Sequence, residues 1–152
     1  MPESIRTKFL RLFFSVHPAY HGTGGWVTFI ASDWSEVKLE IPLNWRTRNY
    51  VGTIFGGSMY GAVDPMFMIM LIQCLGDEYI VWDKTATILF KKPGKSKLFA
   101  HFIIPSEEVL FIHEELRSKR SLDREYTVDL KDAEGNVCAT VIKTIYIRKK
   151  SD

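Results

Sequence analysis

Only two cysteines, Cys74 and Cys138, occur in the 152 residues, both inside apolar segments and without metal-ligand spacing. They read as small core residues of a chain kept in a reducing compartment. The four histidines, His17, His21, His101 and His113, show no metal-ligand pairing either, so no metal site is expected. No P-loop, dinucleotide fingerprint or serine nucleophile elbow is present, which sets those enzyme classes aside. Charge of one sign is scarce: the net value of +2 gives no concentrated basic face for nucleic acid. Nor is there an uninterrupted apolar run. Met59 to Leu75 comes nearest, but Gly61, Asp64, Pro65 and Gln73 break it, so it reads as a buried helix and not a membrane span. Glu3, Arg6, Lys8 and Arg11 deny the N-terminus the apolar stretch of a signal peptide. A cytoplasmic chain without stable membrane insertion is the expectation.

What is present is ordinary globular material: 46% hydrophobic and 25% charged residues, with 13% aromatics. The length suits one domain over residues 1–152, opened by an amphipathic helix over 1–17. In that helix Ile5, Phe9, Leu12, Phe13 and Val16 recur at helical spacing, and His17-Pro18 ends it. Its apolar side is expected either to pack on its own sheet or to serve as a lid or membrane-surface contact. Strands are expected at Trp26 to Ala31 and Val37 to Ile41. A long apolar helix follows from about Phe55 to Leu75, closed by Gly76. Further strands run over Tyr79 to Phe90, Leu98 to Ile104, Arg124 to Leu130 and Val137 to Ile147. A short helix capped by Ser106 reaches about Leu116, and Asp132 to Asn136 forms a hairpin loop. A helix apolar nearly all round must be covered on most faces. A strongly curved antiparallel sheet wrapped around it does this, which gives an α+β class of hot-dog type.

The chemistry lies in Asn49 to Asp64. Gly56, Gly57, Ser58, Gly61 and Ala62 put small residues at a helix start, where unpaired amides can hold a carbonyl oxygen or a developing oxyanion. Asp64 then places a carboxylate in otherwise apolar sequence. One reading makes it a catalytic group; the other makes Asp64-Pro65 a plain helix start, with Asp as cap and Pro at the first position.

This segment resembles the active-site stretch of hot-dog acyl-CoA thioesterases of the phenylacetate-pathway type. Asn49, Gly52-Thr53, Gly56-Gly57 and Asp64 match that family's pattern in type and spacing. Val81 to Lys84, with Phe90 to Gly94, resembles more closely the DUF4442 branch of thioesterase-like proteins. Two departures stand out: Phe55 replaces a histidine before the paired glycines, and Pro65 follows the aspartate, breaking the bond to the Gly61 carbonyl and kinking the helix.

The resemblance implies that Asp64 acts as general base or nucleophile, with the Gly56 and Gly57 amides as oxyanion donors and Asn49 as orienting group. Phe55, Ser58, Asp83 and Lys84 are implied near the substrate. Lys84 shares its expected strand face with Trp82, Ala86, Ile88 and Phe90, and either pairs with Asp64 of a neighbouring subunit or reaches the surface. Lys91, Lys92, Lys95, Lys97, Arg117, Lys119 and Arg120 either meet coenzyme A phosphates or are solvated turn charges. Three expectations follow: an acyl-CoA thioester hydrolase needing no cofactor beyond the coenzyme A of its substrate, a catalytically silent acyl or acyl-CoA binder, or an assembly protein whose Asp64 is only a cap. A homodimer or homotetramer is implied for the first.

Overall fold

Alternation of buried and solvated side chains builds the sheet of the computed structural model, which describes residues 1–150. Six strands, β1 (Trp26–Ile30), β2 (Glu36–Ile41), β3 (Tyr79–Phe90), β4 (Leu98–Ile103), β5 (Leu122–Lys131) and β6 (Val137–Lys149), pair antiparallel in the order β1-β2-β4-β5-β6-β3. The inner residues of β2 and β6, among them Val37, Leu39, Ile41, Val141, Ile145 and Ile147, are buried. The chain between β2 and β3 must therefore travel from one side of the sheet to its far edge. It does so through α3 (Gly56–Val63) and α4 (Met66–Leu75), which pack against β2, β3 and β6. Met59, Met66, Phe67, Met70 and Leu71 thereby join the strands in a single core. This is the expected hot-dog arrangement: a curved sheet around a central helix.

The central helix departs from an uninterrupted run. Asp64 and Pro65 keep helical backbone angles, but Pro65 has no N–H to donate. Two carbonyls at the break find side-chain donors: the Tyr20 hydroxyl donates to Ala62 O at 3.0 Å, and Lys143 Nζ to Asp64 O at 2.9 Å. Gly76, at φ 81°, closes α4 as expected.

The N-terminal helix α1 (Ile5–Val16) is capped by Ser4 in a reciprocal pair with Thr7, and Pro18 opens a further short helix, α2 (Pro18–His21). Its orientation differs from simple packing of the apolar side on the sheet. Thr7 and Ser15 are buried and Leu10 and Phe14 half-buried, while Ile5, Phe9, Leu12, Phe13 and Val16 lie exposed. α5 (Ser106–Ser118) is preceded by Pro105 in extended conformation, with no side-chain cap; Ser106 is its first helical residue, not its cap. In the hairpin loop Asp132 Oδ1 accepts from the amides of Glu134 and Asn136, and Gly135 adopts φ 84°.

Candidate active site

The break between α3 and α4 aims Asp64 at strand β6. Asp64 Oδ1 accepts from the Tyr60 hydroxyl and from Lys143 Nζ, both at 2.6 Å. Oδ2 has no hydrogen-bond partner among the described residues and belongs to a side chain 40% exposed. The carboxylate does not cap α4, so the helix-start reading of Asp64-Pro65 does not describe the structure. It faces a pocket of about 350 Å³ between α1, α2 and the central helix, lined by Phe13, Phe14, His17, Tyr20, Gly61 and Pro65 among others.

Lys143 was not a sequence candidate, yet its side chain is 1% exposed. A signal existed: it alternates with Val141, Ile145 and Ile147 on the core face of β6. Its Nζ also lies 3.0 Å from Asp83 Oδ1, an ion-pair contact outside hydrogen-bond geometry, and 5.8 Å from the Tyr60 ring centre. Burial pushes the Asp83 carboxyl upward, and the nearby Lys143 offsets this only in part. The Tyr60 phenol is likewise raised, first by burial and then by its bond to Asp64. Tyr60 too escaped sequence reasoning, because one tyrosine in a helix of small residues carries no distinctive spacing.

Asp83 reaches this cluster through a β-bulge. The register slips between Asp83 and Thr85, so Asp83 opposes Ile145 while Ala86 opposes Lys143. Directly opposed residues share a face. Strict alternation put Lys84 with Ala86, Ile88 and Phe90; the bulge puts Asp83 there instead and turns Lys84 outward. Lys84 pairs with Asp123 at 2.5 Å on the surface and does not reach Asp64 of its own chain.

The opposite end of α3 holds the other expected residues. Met59 N is the first amide bonded within the helix, to Phe55 O at 3.1 Å, and the amides of Gly56, Gly57 and Ser58 have no acceptor among the described residues. Both glycines are closely covered: a Cβ on Gly56 would lie 2.8 Å from Phe90 Cζ, and one on Gly57 2.3 Å from Phe55 Cε1. Phe55 is 56% exposed, whereas Ser58 is buried. Asn49 is engaged in its own loop, its Oδ1 accepting from the Val51 and Thr53 amides and its Nδ2 donating to Thr53 Oγ1. A cleft of about 430 Å³ joins Asn49, Thr53 and Gly56 to Phe90, Lys91 and Lys92. Of the other basic candidates, Lys97, Arg117 and Lys119 are paired with Glu40, Glu114 and Glu115. Gly57 and Asp64 are seven residues apart on one helix, about 10 Å along its axis. Within one chain the carboxylate and the free amides, the two halves that the expected site needs, are therefore too far apart to meet at one carbonyl. Among the described residues no cluster suited to a metal ion occurs.

Solved structures with the same fold include a Pseudomonas aeruginosa protein of unknown function described as a probable thioesterase. It aligns at TM-score 0.83 and 18% identity, with 99% of each chain covered. A Chlorobaculum tepidum protein of unknown function aligns at TM-score 0.74 and 19% identity, covering 95% of each chain. A Haemophilus influenzae thioesterase aligns at TM-score 0.68 and 14% identity, covering 97% of this chain and 93% of its own. No curated protein matches the sequence. The profile of the family described as a domain of unknown function, DUF4442, matches residues 6–147, and the chain belongs to that family.

Proposed function

We propose that this chain hydrolyses acyl-CoA thioesters in the cytoplasm, with Asp64 as the reacting carboxylate. The observation that carries the reading is the geometry of Asp64: one oxygen held by two donors, the other without a partner among the described residues, in a half-exposed side chain that lines an apolar pocket. Asp64 Oδ2 takes a proton from water as that water bonds to the carbonyl carbon, or itself attacks that carbon. The Gly56 and Gly57 amides receive the oxyanion, each such donor contributing about 3–4 kcal/mol. On the base route the C–S bond then breaks, and the coenzyme A thiolate leaves and takes up the proton held by Asp64. On the nucleophile route the thiolate leaves an Asp64–acyl anhydride; water then hydrolyses it, releasing the acid, regenerating the carboxylate and giving a proton to the thiolate. Lys91 and Lys92, at the cleft beside Gly56, suit the phosphates of coenzyme A. Because the half-sites are about 10 Å apart in one chain, a second copy supplies the amides to each Asp64. The edge strand β3, with one side unpaired in the sheet order, suits such a homodimer or a homotetramer.

Turnover of short, long and aromatic acyl-CoAs by wild type, Asp64→Ala and Asp64→Asn tests this. Loss in both folded variants supports the assignment; wild-type inactivity on every substrate, or full activity of Asp64→Asn, refutes it. A second reading, a silent acyl-CoA binder, is favoured by the Phe55 ring packed against Gly57, where it crowds the donors. Calorimetric binding of acyl-CoA without turnover would select it.

A further inference from the structure

Two unrelated distortions of the fold converge on a single ammonium group. Pro65 interrupts the central helix and leaves the Asp64 carbonyl to Lys143, while the bulge at Lys84 swings Asp83 onto the core face of β3 toward the same Nζ. A buried lysine is tolerated only when paired and hydrogen-bonded. Here its contacts are Asp64 Oδ1, Asp64 O and Asp83 Oδ1. Packing alone gives no reason for the arrangement, since its neighbours on that face of β6, Val141 and Ile145, are fully buried aliphatics. Gripping both the side chain and the main chain of Asp64 removes the freedom of that carboxylate to rotate. Tyr60 adds a second donor to the same oxygen.

Resting on the reading of Asp64 given above, we infer that Lys143 is a positioning residue: it clamps Asp64 Oδ1 and leaves Oδ2 to face the pocket as the reacting oxygen. Lys143 itself does not touch substrate. It lies behind the carboxylate, with Asp83 fixing the ammonium from the strand side.

The test is steady-state kinetics of Lys143→Met on the best acyl-CoA, with thermal melts alongside. The expected result is a loss of about 100-fold in kcat, the scale on which a misplaced reacting group costs, with KM within about threefold. A folded variant retaining wild-type kcat overturns the inference, as does a loss carried wholly by KM. Removing one partner of a buried pair strands the other, so Lys143→Met/Asp83→Asn is the form to use if the single variant does not fold. A crystal structure of whichever variant folds gives a readout independent of turnover. Rotation of the Asp64 carboxylate away from its wild-type orientation supports the clamp even if wild type hydrolyses no thioester, and an unmoved carboxylate overturns it even if wild type is active.

Discussion

At the residue scale the governing fact is an imbalance of charge: two carboxylates, Asp64 and Asp83, share one ammonium. Asp83 is the more enclosed of the two, and burial lifts its carboxyl above the ordinary 3.8. The folded chain therefore holds this proton more tightly than the unfolded chain does. The stability linked to Asp83 is fully present below the unfolded value and is lost as pH rises through the raised folded value. Asp83→Asn removes that loss. The melting temperature of Asp83→Asn relative to wild type is expected to climb between about pH 3 and about pH 7. Paired melts across that range check this, and a relative Tm that falls with pH would contradict it.

At the element scale the central helix exchanges backbone regularity for a clamped carboxylate. Pro65→Ala supplies the missing N–H to the Gly61 carbonyl and removes the ring clash. It also favours a regular ladder in which Asp64 O accepts from residue 68 and no longer from Lys143. The expected outcome is a higher Tm with a lower kcat, as befits a site bought with local irregularity; calorimetry and turnover on one preparation check both, and higher activity would contradict the role given to the break. The same irregularities mark the limit of what the sequence showed. Order and type of the strands and principal helices were legible because Val37-Leu39-Ile41 alternates and Met59 to Leu75 is predominantly apolar. Asp64 and the small residues from Gly56 stood out by composition, whereas Asn49 entered only through the resemblance to hot-dog thioesterases. The bulge at Lys84 had no glycine to announce it, and strict alternation then put the wrong residue on the inner face. Lys143 is visible as a site residue only once Val141 and Ile145 are known to face the core. Helical periodicity found α1, but periodicity alone does not say which side turns inward, and here Thr7 and Ser15 do.

At the scale of the whole molecule, the separation of free amides from the carboxylate becomes an experiment on assembly. The proposed site requires a two-fold axis that sets the start of α3 in one chain opposite the end of α3 in the other, a reciprocal arrangement that an isologous interface along β3 can supply. Asp64→Asn removes the carboxylate and leaves the amides intact. Gly57→Val obstructs the amides, because its side chain must displace the Phe55 ring, and leaves Asp64 intact. Each homodimer should then be nearly inactive. After exchange of subunits, half of the dimers carry both changes, and in these one site combines two wild-type halves, so mixing should restore about a quarter of wild-type turnover. Unmixed controls and a size measurement by light scattering accompany the assay. Restoration near that level is possible only if each site draws on two chains. A mixture no more active than its components, in protein shown to be dimeric and to have exchanged, would confine the chemistry to a single chain and leave the amides of α3 without a part in it.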